Sequence, residues 1–339
     1  MTHPDRAALT ALAATRRYPT FEPADDDFHD EVLSDRWWET ETCWFSWNVP
    51  ERSLGGWTYC QARPNARLCN GGVWVWDASG AFSWELPYHV EYSGLRLPER
   101  AERDLRDFEW PNGVHVKMLE PLTRYEISYE DPGALELRLE FRALLPPNPH
   151  PVGVPPFLAG THFDQPGHLT GEMVLAGERI PIDCYSVRDR SWGPRPAGRP
   201  KKRRIEDAEL RTGTGGIGYS FGVAGPRDAW LTYSTPTRDA DPVVCGFLLR
   251  DGEYGHLLTG SREVSVDTVT GWPVRIEIEA FDDRHRRLEV QGSALSRHWR
   301  GHGGDTLVRW TWDGVQGWGE DQTYLSRALW NAWRARTRP

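Results

Sequence analysis

Three short matches fall at one constant spacing in this chain of 339 residues. Phe45-Ser46-Trp47 pairs with Tyr219-Ser220-Phe221, Thr58-Tyr59 with Thr232-Tyr233, and Val73–Asp77 with Phe247–Asp251, each 174 residues apart. Further on, Glu126-Ile127, Asp131 and Ala143-Leu144 match Glu277-Ile278, Asp282 and Ala294-Leu295 at a spacing of 151. The spacing changes between Asp77 and Tyr125, where the first half carries its longer connector. A chance alignment would not hold over strands and slip only in a loop, so two copies of one β unit are expected.

Each copy reads as antiparallel strands. Trp37–Trp47 alternates aromatic and polar residues, Gly55–Gln61 repeats the habit, and Gly72–Asp77 runs into a turn at Ala78-Ser79-Gly80. After a charged connector, Leu97–Asp107, come Val114–Met118, Arg124–Tyr129 and Leu135–Leu144, the last two joined by the hairpin signature Asp131-Pro132-Gly133. A content of 18 Trp, 33 Gly and 26 Pro against 3 Met suits strands and tight turns better than helices. Strand-and-turn spacing of this kind fits sandwiches or up-and-down barrels. Leu145–Pro156, with six Pro in twelve residues, reads as an extended linker. The expected boundaries are an N-terminal arm over 1–30, a first β unit over 31–156 and a second over 157–339. A short helix opens the arm, ahead of the acidic Asp25-Asp26-Asp27. One helix is expected over Glu320–Arg336, with Leu325, Ala328, Leu329 and Trp330 on its packing face.

The formal net charge of −9 argues against nucleic acid as a partner. Cys43, Cys60, Cys69, Cys184 and Cys245 are odd in number and widely scattered, so neither a disulfide framework nor a zinc knuckle is implied, and a reducing compartment is expected. Ala7–Ala14 is too short, and too closely flanked by Asp5, Arg6, Arg16 and Arg17, for a signal peptide or a membrane span. The expectation is a cytoplasmic protein without an integral membrane segment, for which a homodimer is an open option.

Residues 161–204 have no counterpart in the first copy and are assigned to the second unit as an insert. They hold Thr161-His162-Phe163-Asp164-Gln165, a hairpin Gly171–Cys184 turning at Ala176-Gly177-Glu178, and the stretch Tyr185–Arg195. That stretch sets Arg188, Asp189, Arg190, Ser191 and Arg195 around Trp192 and closes on Gly193-Pro194. Each unpaired charge taken out of water costs several kcal/mol. The stretch is therefore expected at a turn by a barrel mouth, not in a buried strand, with Arg and Asp paired above the indole. Lys201-Lys202-Arg203-Arg204 reads as a solvated loop. Gly213-Thr214-Gly215-Gly216 lacks the Lys and the strand–loop–helix setting of a phosphate loop and reads as a hairpin turn.

Thr161-His162-Phe163-Asp164-Gln165, Gly171 and Val187–Arg195 resemble the AttH-like, carotenoid 1,2-hydratase (hydroxyneurosporene synthase) superfamily. More narrowly they are similar to a bacterial branch of uncharacterised domains with an Arg-Asp-x-Ser-Trp-Gly turn. Trp312-Asp313-Gly314 and Gly319-Glu320-Asp321-Gln322 resemble the C-terminal end of that branch. The resemblance spans roughly residues 35–325. It implies an all-β fold of two tandem lipocalin-like (calycin) antiparallel barrels with short terminal helices, in agreement with the repeat. It also implies hydratases of isoprenoid double bonds and cyclases of polyketide-like substrates, though fold transfers more safely than reaction.

Protonating an unactivated alkene needs a carboxyl kept neutral near pH 7 by desolvation, and a pocket that tolerates positive charge, as indole faces do. Asp164 and Asp189 are the first carboxyls to consider. Asp164 follows His162 by two residues on an expected strand, so both side chains share a face. Asp189 lies between two arginines, which should depress its pKa and make it a scaffold. Asp164 is then the acid/base, His162 its orienting or relaying partner, and Arg188 and Arg195 hold Asp189 or polarise a substrate oxygen. Trp192 walls the pocket; Gln165, Tyr185, Tyr88 and His89 are further substrate-binding candidates, and Glu320 and Gln322 later ones. His162, Asp164 and His168 lack a convincing third-ligand spacing, so no metal and no cofactor is expected. The function expected is a cofactor-independent hydratase/lyase, isomerase or cyclase acting on a hydrophobic small molecule (isoprenoid, terpenoid or polyketide-like). The alternative is a non-catalytic lipocalin-like carrier of a lipophile.

Overall fold

The computed structural model describes residues 4–31, 34–195 and 215–337; Lys201–Arg204 and Gly213-Thr214 lie outside them. The chain separates into two units. One comprises Pro19–His150 and Ala159–Arg199, the other Met1–Tyr18, Pro151–Leu158 and Pro200–Pro339.

The first unit is one antiparallel sheet of eleven strands. In chain order they are β1 (Glu39–Val49), β2 (Leu54–Arg63), β3 (Leu68–Trp76), β4 (Tyr88–Arg96), β5 (Asp107–Glu109), β6 (His115–Glu120), β7 (Arg124–Asp131), β8 (Leu135–Ala143), β9 (Asn148–Pro149), β10 (Thr161–Leu175) and β11 (Glu178–Pro194). They run β4-β3-β2-β1-β11-β10-β8-β7-β6-β5, with β9 beside β10. The sheet curls without closing. Phe45, Trp47 and Val75 share one core with Phe108, Ile127 and Phe141, and the hydroxyls of Tyr88 on β4 and Tyr129 on β7 meet at 2.6 Å. Alternation explains it: every second residue of β7 and β8 turns to this core, and the polar ones between face away.

The expected pair of calycin-like β units holds, the first as a curled half-barrel sheet and the second as a closed barrel. One expectation changes. The insert is not part of the second unit: β10 and β11 are central strands of the first, which explains why Gly171 is required. Its φ is +148°, and a Cβ there would lie 2.1 Å from the Arg138 carbonyl oxygen of β8. Leu145–Pro156 is likewise not all linker, since β9 pairs Asn148 with Asp164.

The second unit opens with helix α1 (Arg6–Thr15), capped by the Asp5 side chain on the Ala8 N–H. A closed barrel follows, formed by β12 (Gly216–Gly225), β13 (Asp228–Ser234), β14 (Pro242–Arg250), β15 (Glu253–Val266), β16 (Pro273–Asp282), β17 (Arg287–Arg300), β18 (Gly303–Trp312) and β19 (Val315–Leu325). Helix α2 (Arg327–Thr337) then packs Leu329 and Trp333 with Leu325. Glu320–Leu325, expected as the start of that helix, belongs to β19, where paired strands on both sides satisfy its backbone. Trp230, Trp310 and Trp312 fill the barrel interior, with ring centroids 4.9 and 6.2 Å apart. Among the described residues no helix is long and apolar enough to cross a membrane.

The repeat is real in part. The hairpin β7–β8 matches β16–β17 at the spacing of 151: Ile127 faces Leu139 as Ile278 faces Val290. The spacing of 174 does not preserve faces. Phe45 lies opposite Thr58, but it is Ser220, not Tyr219, that lies opposite Thr232. A one-residue offset in a strand exchanges inside for outside, so Tyr219 turns away from the interior that Trp230 fills.

Candidate active site on one face of the curled sheet

The Tyr185–Arg195 stretch is no turn. It is the C-terminal half of β11, and Arg188 and Arg190 are each 1% exposed. Burial is tolerated because every charge is matched. Arg188 Nη1 lies 3.1 Å from Asp26 Oδ1 and its Nε donates to Gln165 Oε1 at 2.8 Å. Arg190 donates to the carbonyls of Thr42 and Asp27 and lies 3.2 Å from Glu41 Oε2. The Tyr125 hydroxyl also donates to Asp26, and its ring lies 4.0 Å from the Arg188 guanidinium carbon. Burial alone would raise the Asp26 pKa, but Arg188, Tyr125, Arg190 and the Leu122 N–H hold it below the ordinary carboxylate value. A void of about 10 Å³, room for one water, lies among Asp26, Cys43, Tyr125, Arg188 and Arg190. Burial pushes the Cys43 thiol up to about 11, so it stays protonated beside the void.

Strand alternation sends Asp189 the other way. The tight turn Ala176-Gly177, with φ of 49° and 86°, fixes the β10–β11 register. In that register Asp189 stands opposite Asp164 on β10 and opposite Trp44 on β1, while Ser191 stands opposite His162 and Thr42. Residues directly opposite share a face. One polar row therefore crosses the sheet as His162–Ser191–Thr42, and beside it runs Asp164–Asp189–Trp44. The aromatic side continues along the same face: Trp44–Trp57 at 5.1 Å, Trp57–Trp74 at 5.4 Å and Trp74–His89 at 6.0 Å.

His162 Nε2 lies 2.9 Å from Asp164 Oδ1, both residues being fully buried. The His150 ring meets His162 edge-on at 6.2 Å. Thr42 Oγ1 donates to Asp189 Oδ1 at 3.4 Å and shares a 2.6 Å hydrogen bond with Ser191, to which Arg195 Nη2 donates at 2.5 Å. Asp189 keeps some accessible surface. Burial pushes its carboxyl above the ordinary value, and Asp164 adds to this against the pull of His162, Arg195 and Arg190. This reverses the sequence expectation. The flanking arginines do not pair with Asp189, because alternation places them behind the sheet.

His162, Asp164 and Asp189 bring one donor atom each to within 4.8 Å of one another. They are donor types that a cation could use, and the third member is Asp189, not His168. His168 is instead bonded to Asp183 and stacked on Tyr185. As it stands, the imidazole is spent on Asp164, and the group reads as a hydrogen-bonded acid–base set.

The remaining candidates divide by face. His89 lies on the Trp row, and Tyr185 on the same face further along β11. Arg188, Gln165, Tyr88 and Trp192 face the core. Trp192 stacks on His29 at 3.8 Å, so it supports β11 from behind and does not wall the acid. Tyr88 is tied to Tyr129 and Asp131. Glu320 accepts from Gln322 at 3.0 Å on β19 of the barrel unit. Thr42, Trp44, Trp57, Trp74 and His150 were not singled out from sequence; the alternation in β1 was visible, but not which of its faces would meet Asp189.

Solved structures share this architecture. An AttH candidate (NE1406) from Nitrosomonas europaea superimposes with a TM-score of 0.59 at 14% identity, covering 91% of this chain and 97% of that one. Kievitone hydratase from Nectria haematococca gives 0.52 at 10% identity over 93% and 95%, and CghA 0.53 at 11% over 91% and 96%. At such identities the likeness is one of fold, an AttH-like all-β fold. No curated protein sequence matches this chain. The match that spans most of it is to a family: over residues 22–322 the chain belongs to Domain of unknown function (DUF7064).

Proposed function

We propose that this chain is a cofactor-independent acid–base enzyme that hydrates, dehydrates, isomerises or cyclises a hydrophobic, isoprenoid- or polyketide-like small molecule. Asp189 is the proton donor in this reading, and Asp164, held by His162, is the base. The observation that carries it is the Asp189 carboxyl, pushed toward its neutral form, between Asp164 and the Trp44 indole on one face. In a hydration, Asp189 gives its proton to an alkene carbon and becomes a carboxylate. Water adds at the neighbouring cationic carbon as the Asp164–His162 pair takes the water's proton. That proton then returns to Asp189, closing the cycle. The Trp44 face offsets the transient positive charge by about 0.5–2 kcal/mol. The roles of Asp164 and Asp189 are thus exchanged relative to the sequence expectation.

A hydratase among the structural neighbours supports this reaction class. The carrier alternative requires an apolar chamber, and the barrel interior is instead filled by three Trp and the Arg262 side chain. Five buried cysteines, none in a disulfide, accord with a reducing compartment. The test is Asp189→Asn assayed for binding and turnover against a terpenoid and polyketide panel. Retained binding with turnover reduced by about 10²-fold or more is expected. Wild-type turnover by this variant would remove Asp189 from the chemistry.

A further inference from the structure

We propose that Asp26, on the arm that precedes β1, is a positioning residue for Asp189: it neutralises Arg188 behind β11 and so stops that cation from drawing off the proton of the carboxyl in front. The inference rests on the reading of Asp189 as the acid and adds a residue that never meets substrate. Arg188 and Arg190 flank Asp189 in sequence on the opposite face of β11, and Arg190 already lowers the Asp189 pKa from there. Each arginine has its own buried counter-ion on the core face. Asp26 serves Arg188 through contacts of 3.1 and 3.4 Å, and Glu41 serves Arg190 at 3.2 Å. Four residues form two ion pairs, so what crosses the strand is the residual pull of the arginines, which Arg190 exerts on Asp189 even with Glu41 in place. On the front face the titratable or charged groups around Asp189 are Asp164 and His162 on β10 and Arg195 beyond β11; Thr42 on β1 does not titrate.

The arm is built to deliver this carboxylate. Asp26 sits in a helical turn, Pro23–Asp26, closed by reciprocal bonds between Glu22 and Asp25, and its Oδ2 also accepts the Leu122 N–H at 2.8 Å. A side chain placed only for packing would not need four donors from three elements. Removing one buried countercharge should move a neighbouring carboxyl by about one to two pKa units at an effective dielectric of about 20.

The experiment follows the Asp189 carboxyl in the full-length chain by ¹³C NMR of labelled aspartate, with the resonance assigned by its loss in Asp189→Asn. No substrate is required, so the outcome is independent of whether Asp189 proves catalytic. Asp26→Asn should lower the midpoint by about one to two units, and Arg188→Gln, which leaves Asp26 bare, should raise it. The double variant Asp26→Asn/Arg188→Gln should return to within about 0.3 unit of wild type. If Asp26→Asn does not fold, Arg188→Gln and the double variant decide. An unchanged midpoint in every folded variant, or shifts of the same sign in both single variants, would overturn the proposal.

Discussion

The two units bury arginine in different ways. In the closed barrel, Arg262 meets two carboxylates, Asp321 Oδ2 at 2.6 Å and Asp241 Oδ2 at 3.0 Å, with Thr323 and Ser220 completing the set. In the curled sheet each buried arginine has one carboxylate, and one of these comes from an arm outside the sheet. The barrel cluster sets two carboxyl groups on one arginine and serves to fill and close its interior. The sheet cluster is balanced pair by pair, and the strand it supports presents an acid on its other side. A closed barrel can afford a plug; an open sheet has a second face to use.

That contrast can be broken by experiment, taking the largest effect first. Asp26→Asn leaves Arg188 with no carboxylate and should cost about 3–5 kcal/mol, whereas Asp241→Asn leaves Arg262 its partner Asp321 and should cost about 1–3 kcal/mol, both read from urea midpoints. The reverse ranking would mean that the second carboxylate of the barrel is essential. Trp310→Ala should also cost about 3–5 kcal/mol, since its ring is fully buried against Trp230. Trp84→Ala in the sheet unit, at a side chain 80% exposed, should stay within about 0.5 kcal/mol.

The smallest effect is in pH dependence, and the two carboxylates of the sheet unit should differ in sign. The Asp189 pKa is raised on folding, so its contribution is present at low pH and fades as pH rises through the folded value. Asp189→Asn should therefore gain stability relative to wild type as pH climbs above the ordinary carboxylate range. The Asp26 pKa is lowered on folding, so its contribution is present at neutral pH and disappears as pH falls through the folded value. Asp26→Asn should lose its disadvantage in acid. Thermal melts from pH 3 to 8 would show whether the two differences run in opposite directions.

The sequence was most legible where local rules decide the outcome. The Asp131-Pro132-Gly133 and Ala176-Gly177 turns fall at strand junctions as expected, with Gly133 and Gly177 at positive φ. His162 and Asp164 share a face because two-residue spacing guarantees it in any strand. The expectation for Asp189 fails because its neighbours in sequence are not its neighbours in space. Arg188 and Arg190 are adjacent to it along the chain and opposite to it across the sheet. Their true partners, Asp26 and Glu41, lie 162 and 149 residues away, beyond the reach of any local pattern. The Trp44 row depends on the same long-range pairing of β1 with β11.

The alternation of Arg188, Asp189 and Arg190 also makes this strand unusually intolerant of length change. Deleting or inserting a single residue between Cys184 and Arg188 would swing two guanidinium groups to the face of Asp164 and Trp44 and strand a carboxylate among Phe45, Tyr125 and Phe141. Homologues that keep this alternation should therefore vary freely in the connector after Asp77 yet show no indel inside β11.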